Sequence, residues 1–245
     1  KKVMDQVRLT IDRVYSQEDP PALEAKEIRV IHGEARFINP HTINVCGDQI
    51  KARRFLIATG ARPFIPAIPG LNATGYLTYQ SIWGLEESPA SLIVMGAGPI
   101  GCEMAQAFCR LGAKVTLVEG GGRILLHDEP EASEVLARRL SEEGVDIRLG
   151  QMVERVSQNG NGFNIALSRE RLGADARLVA VGRRPNMEEL ALEQAGIAFG
   201  SHGITVDRRL RTSQKHIYAT GDCAGGHQFT HYAGWQGFMA VRNAF

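Results

Sequence analysis

The spacing of apolar residues separates several kinds of segment along this chain. Val3, Val7, Ile11 and Val14 recur among charged neighbours at helical intervals, with Leu9 outside the stripe, and predict a helix over residues 3–15. That pattern starts at the first residue with no capping residue ahead of it. Asp19-Pro20-Pro21 reads as a connection. The runs IRVIHGEARFI, TINVC and IKARRFLIA, separated by turns at Asn39-Pro40-His41 and Gly47-Asp48, predict a small antiparallel meander. The stretch ATGARPFIPAIPGL holds too much Gly and Pro for regular structure.

Past Pro89 the texture changes. SLIVM (91–95) is a short apolar run of the kind that forms a buried parallel strand, and KVTLVE (114–119), VDIRLG (145–150) and ARLVAVG (176–182) also read as strands. Between the first two, Ile100, Met104, Ala107, Phe108 and Leu111 fall on one face of a helix that Gly112 ends. Asp128 is placed to cap a second helix, with Pro130 in its first turn and Glu131 three residues after the cap, running to about Glu143 before Gly144. VERVS and FNIALS flank Asn159-Gly160-Asn161-Gly162, a hairpin signal. Beyond residue 186, HGITVD and HIYATGDC read as strands and HYAGWQGFMAVRNAF as a final helix. IATGARP (57–63) and AVGRRPN (180–186) echo one another, each a strand delivering a glycine turn with Arg and Pro behind it.

Composition narrows the field. A chain of 245 residues is comfortable for two domains, and 44% hydrophobic with 22% charged residues is ordinary for a globular protein. A net charge of +1 offers no electrostatic case for nucleic acid or an anionic membrane surface. No run reaches the length of a membrane-spanning helix, and the opening residues are no secretion leader, so a cytoplasmic location is expected. Cys46, Cys102, Cys109 and Cys223 form no C-x-x-C pair and no zinc spacing, which predicts four reduced thiols and no metal site.

The sharpest chemistry lies at Gly96-Ala97-Gly98-Pro99-Ile100-Gly101, a G-x-G-x-x-G that leaves a predicted strand and opens a predicted helix. Gly96 permits the tight turn, Gly98 lets a pyrophosphate approach the backbone, and Gly101 lets the helix pack on the strand. Phosphates then face the helix N-terminus, where unpaired N–H groups and the dipole favour negative charge. Glu119, 18 residues past Gly101, ends the next strand and can accept hydrogen bonds from ribose hydroxyls. It would repel a 2′-phosphate, which favours NADH over NADPH; Arg123, four residues on, pulls the other way.

Four segments, IATGARPFIPAIPG (57–70), VMGAGPIGCEMAQAF (94–108), VAVGRRPN (179–186) and TSQKHIYATGDCAG (212–225), together resemble the pyridine nucleotide–disulfide oxidoreductases, over essentially the whole chain. The tone of HGEARFINPHT and TGDCAGGHQFTHYAGWQG is similar to the mercuric reductase and dihydrolipoamide dehydrogenase side of that family. The resemblance implies an α/β fold of two Rossmann-like domains with parallel sheets and antiparallel β-meander crossovers. An FAD-binding domain would be built from residues 1–88 and 185–245, and an NAD(H)-binding domain from 89–184. It implies that Thr59 and Gly60 lie where the chain passes the flavin, and that Asp222 accepts a hydrogen bond from the FAD ribitol. Gly96, Gly98, Pro99, Ile100, Gly101, Glu103, Glu119, Gly182 and Arg183 would serve NAD, with Glu103 near the nicotinamide and Gly182 and Arg183 at the crossover. Thr230 and His231 would pass the flavin ring, His231 in a structural or backbone role.

The sequence also departs from that family. A first G-x-G-x-x-G for the FAD pyrophosphate, a C-x-x-x-x-C redox pair, the lysine that pairs with Glu103 and the dimerisation domain with its catalytic histidine have no counterparts in these residues. The expectation is therefore a fragment truncated at both ends, with no catalytic residue of its own, retained NADH binding and weak or absent FAD binding. The parent would be a homodimer that passes a hydride from NADH to flavin, and then electrons to a small-molecule or metal-ion acceptor. Alternatives are an NADH oxidase or transhydrogenase of the same fold, or a nucleotide-binding module with no catalysis. A short-chain dehydrogenase is disfavoured, since no Y-x-x-x-K follows the glycine motif.

Overall fold

The computed structural model describes residues 2–160 and 162–245. The chain forms two compact units, one from residues 1–17 and 63–182, the other from 18–62 and 183–245. The expected partition at 88/89 and 184/185 differs in residues 183–184, which belong to the second unit, and in residues 1–17 and 63–88, which belong to the first. Leu71 and Ile82 are buried in that unit's cores, and Leu77 bridges Leu178.

The first unit is built on four parallel strands, in the order Ala176–Val179, Ser91–Met95, Lys114–Glu119, Asp146–Leu149. Side chains alternate across a strand, so each strand feeds two cores. Leu92, Val94, Val115 and Leu117 pack with Cys102, Ala105, Phe108 and Leu140 of the helices Pro99–Arg110 and Pro130–Glu142. Ile93, Met95, Val118 and Val179 pack instead with Leu71, Val156, Ile165 and Leu167. The second set includes the antiparallel sheet of Val153–Asn159, Gly162–Leu167 and Arg171–Ala174. The layers are thus helices, parallel sheet and antiparallel sheet, an α/β architecture of the expected class. The Phe64 N–H donates to the Gly182 carbonyl at 2.9 Å, where the chain enters and leaves this unit.

Several local expectations shift. The first helix of the parallel sheet buries Gly101, Cys102, Ala105 and Phe108, while Ala107 and Leu111 are exposed. Its buried stripe is rotated from the expected one because Gly101 has to face the strand turn. The second helix takes Glu129, not Asp128, as its N-cap, without a side-chain cap bond; the buried Ser133 hydroxyl donates to the Ile124 carbonyl. Asn159 pairs with Gly162 as the hairpin signal implies, and Asn161 lies outside the described residues, as does Lys1 at the helix start. A third hairpin strand, Arg171–Ala174, carried no clear pattern.

The second unit holds a meander of Ala35–Asn39, Thr42–Val45 and Asp48–Lys51. The meander begins at Ala35 rather than at Ile28. The run IKARRFLIA splits, because Phe55–Ile57 leaves the meander to pair in parallel with Ile217–Ala219 over the core of Ile57, Leu192, Ile197 and Ile204. Asp19 caps a short helix, Pro20–Glu24, accepting from the Ala22 N–H at 2.9 Å; Asp before Pro is a helix-start signature that outweighed the connection reading. The hairpin Phe199–Gly200 and Gly203–Ile204 and the helix Thr230–Ala244 complete it. No helix among the described residues is long and apolar enough to cross a membrane.

The rotated helix face makes a testable contrast. Phe108→Ala should cost about 3–5 kcal/mol in urea unfolding, whereas Leu111→Ala, on the exposed side, should stay within about 0.5 kcal/mol. Equal losses would show that the expected stripe, not the observed one, is buried.

Candidate functional site

At the end of Ser91–Met95 the backbone turns through Gly96 at φ +98°, in the left-handed region that disfavours a side chain. A β-carbon there would lie 2.6 Å from the Ala180 carbonyl oxygen. One at Gly101 would lie 1.9 Å from the Gly96 carbonyl oxygen, so the helix sits directly against the turn. Gly98 differs from both: a β-carbon there meets nothing within 4 Å. Gly98 is the N-cap of Pro99–Arg110 and supplies no side chain to the first-turn N–H groups. The result is open space in front of an uncapped helix N-terminus, which suits an anion of the chain-hugging kind.

Glu119 closes the other side. One of its oxygens accepts from the Ala97 N–H at 2.9 Å, and the other from the Gly121 N–H at 2.8 Å. The carboxylate is thereby fixed across the glycine turn, and each oxygen keeps a further lone pair for a ligand hydroxyl. Arg123 does not share this space. Two of its guanidinium nitrogens donate to the carbonyls of Leu125 and Leu126, at 3.0 and 2.8 Å. Cys102, buried behind the turn, has its thiol pushed up to about 12, chiefly by desolvation and then by Glu119, Glu103 and Asp128. Such a thiol packs rather than reacts; all four cysteines are free, and Cys109 donates to the Glu143 carbonyl.

The structure therefore brings Gly96, Gly98, Gly101 and Glu119 together, with Pro99 and Ile100 opening the helix and Glu103 exposed beyond its first turn. Gly182 ends the first unit at φ +137°. Arg183, expected beside NAD, belongs to the second unit, where it donates to Asp222 Oδ2 at 2.6 Å and to the Gln228 carbonyl. Asp222 lies in a tight turn, Gly221–Ala224, at the end of Ile217–Ala219, and the Gly221 N–H is held by the buried Gln236 at 2.8 Å. The Thr59 hydroxyl donates to the Asn186 carbonyl at 2.7 Å, and Gly60, at φ +66°, accepts from the Asn186 N–H. Asn186 and Gln236, which orient these segments, were not singled out in the sequence; a polar residue buried in an otherwise apolar helix is the signal that marks Gln236.

Arg177 was missed as well. It is buried within a parallel strand, bonds to Thr74 Oγ1 and the Gly75 carbonyl, and stacks 3.6 Å from the Phe163 ring centroid. Burial lowers its pKa. Its partners lie far away in sequence, so only the charge inside an apolar run hinted at it.

The turn, helix N-terminus and strand-end carboxylate define a Rossmann-type dinucleotide-binding α/β unit. Comparison with known proteins places it more finely. Residues 15–237 match the family "Pyridine nucleotide-disulphide oxidoreductase", and the chain belongs to it. It is 40% identical to a mercuric reductase of Bacillus cereus over 220 residues, covering 88% of this chain and 35% of that protein. It is 32% identical to the dihydrolipoyl dehydrogenase of Bacillus subtilis over 228 residues, covering 91% of this chain and 50% of that protein. The solved structure of the HOCl-induced flavoprotein disulfide reductase RclA from Escherichia coli superposes with a TM-score of 0.92 at 33% identity, covering 99% of this chain and 56% of that one. The chain thus spans between about a third and somewhat over half of the length of these relatives.

The glycines separate into structural and ligand-facing positions, and melting should separate them too. Gly101→Ala should lower stability by roughly 1–3 kcal/mol through overpacking, while Gly98→Ala should melt within about 0.5 kcal/mol of the unmodified chain. A Gly98→Ala protein that unfolds early would remove the argument for open space at that position.

Proposed function

We propose that the first unit binds NADH in preference to NADPH, and that the second forms part of an FAD site in a longer enzyme. The observation that carries the nucleotide reading is the Glu119 carboxylate bridged between the Ala97 and Gly121 N–H groups, beside the open Gly98. The helix N-terminus receives the pyrophosphate, and Glu119 accepts from the ribose hydroxyls. A 2′-phosphate would meet that fixed carboxylate, and the Arg123 guanidinium is committed to backbone carbonyls instead of to a phosphate. The fit is thus to NADH.

In the second unit Asp222 sits at a strand end with one oxygen held by Arg183, which supports its reading as the acceptor for a flavin polyol hydroxyl. Gly60 and Thr59 lie on a segment tied to Asn186 and give the flavin a backbone edge. When bound, the nicotinamide and flavin supply hydride chemistry; the protein's part is to bind and orient them. The whole enzyme, on this reading, is a cytoplasmic homodimer that passes a hydride from NADH to flavin and electrons on to a disulfide or metal-ion acceptor. The mercuric reductase and disulfide reductase names of its relatives favour those acceptors over oxygen.

Fluorescence titration tests the nucleotide reading. The unmodified chain should bind NADH more tightly than NADPH. Glu119→Ala should weaken NADH about tenfold or more, since hydrogen bonds to a charged group contribute ~1.5–3 kcal/mol, and should narrow the gap between the two coenzymes. Gly98→Val should abolish binding of both while leaving the fold intact. Tighter NADPH binding by the unmodified chain would sink the Glu119 argument.

A further inference from the structure

The four-stranded sheet of the first unit has two edges, and the fold treats them differently. At one edge Ala176–Val179 is covered. Leu77 bridges Leu178, the Leu77 N–H donates to the Arg177 carbonyl, and the Val179 N–H donates to the Leu77 carbonyl, both at 2.9 Å. At the other edge Asp146–Leu149 pairs with residues 116–119 on one side only. Among the described residues its backbone groups make no bond outside that ladder. In a parallel pair every second N–H and C=O points away from the neighbour, so this strand offers an open row of donors and acceptors. Natural sheets guard such an edge with lysine, proline or a bulge. This strand has none of them: its register is unbroken, and its only charges are one acid and one base, Asp146 and Arg148.

Side chains alternate along the strand. Ile147 and Leu149 pack on the helical core. Asp146 and Arg148 share the opposite face, with side chains 42% and 38% exposed. Arg148 Nη2 lies 3.0 Å from Asp146 Oδ2, and Arg148 Nη1 lies 3.6 Å from Glu170 Oε1. One partly exposed guanidinium thus serves two carboxylates, and a second cation beside Asp146 would balance the group. A two-fold axis at Ile147 supplies it. When two copies of the strand pair antiparallel about Ile147, each Asp146 stands directly opposite the partner's Arg148. The same pairing sets outward N–H groups against outward C=O groups, because it preserves the alternation along the strand. A parallel, in-register pairing would set like charges against each other and is disfavoured.

We infer that the edge strand Asp146–Leu149 is a docking surface for a second copy of this chain, which extends the sheet across a two-fold axis at Ile147. Strand addition of this kind takes its affinity from main-chain hydrogen bonds and its register from the facing side chains. Four residues a side make a small contact, so the dimer is weak and forms with rising concentration. The contact uses the sheet edge and its charges alone, and stands apart from the coenzyme reading.

Sedimentation velocity of the full chain, without coenzyme, should show monomer at about 10 µM and a growing dimer fraction towards about 1 mM. Asp146→Arg and Arg148→Asp each set like charges across the axis, and each should weaken the dimer at least about tenfold. Mixed together, the two variants should associate again, at least as tightly as the unmodified chain, since every acid of one then faces a base of the other. An ion pair within one chain cannot produce that rescue. Hydrogen exchange on the unmodified chain needs no variant: the amides of Asp146–Leu149 should exchange more slowly at about 1 mM than at about 10 µM, while those of Ala176–Val179 stay the same. If either variant melts early, the exchange measurement decides. A chain that stays monomeric at about 1 mM, exchange at Asp146–Leu149 that ignores concentration, a dimer that both folded variants leave intact, or a mixture of the folded variants that stays monomeric overturns the docking surface.

Discussion

A helix of the first unit sits directly against the turn that precedes it: the Gly96 carbonyl lies where a side chain at 101 would have to begin. Everything around the site follows from that contact. With no β-carbon at 101 the helix drops onto the strand, and its rotation is set so that Cys102, Ala105 and Phe108 face the sheet. The same rotation aims the first-turn N–H groups past Gly98 into open space. Glu119 then reaches back from the neighbouring strand to the Ala97 N–H, so the turn and the strand end are fixed relative to each other by a charged hydrogen bond. Loss of the close contact would shift the anion site and the carboxylate together.

The sequence made much of this legible, and the reasons are local. The order strand, glycine turn, helix, strand, carboxylate is written in consecutive residues, and each glycine has a steric reason that needs no distant partner. The helix face was less legible, because Ala107 and Leu111 complete an attractive stripe with Met104 and Phe108, and only the demand at Gly101 turns Ala107 and Leu111 out to solvent while Met104 and Phe108 still pack on the core. Arg123 could be read as a phosphate ligand until its two carbonyl partners were located. Arg177 is the extreme case. A charge in the middle of an apolar strand acquires meaning only from Thr74, Gly75 and Phe163, which approach from two separate parts of the chain.

The second unit was harder to read for the same reason. Its core draws on Phe37, Ile57, Leu192, Ile204 and Ile217, so no single stretch shows the periodicity of the whole. Arg183 looked like a continuation of the nucleotide unit because it follows Gly182 in sequence. The side chain instead makes an ion pair with Asp222, 39 residues on, with both partners largely withdrawn from solvent. Removing one member of such a pair strands the other, so the two positions are coupled in a way that adjacency along the chain concealed.

The single hydrogen bond from Phe64 to Gly182 has a further meaning. It holds the two ends of a 63–182 segment side by side, so the polypeptide on either side experiences that whole stretch as a short loop with fixed ends. The entropy of closing a loop depends on how near its ends already are, and here the guest segment supplies that nearness itself. Such a module is suited to being spliced into a host fold at one surface point without disturbing the host's own register, the geometry that makes domain insertion tolerable.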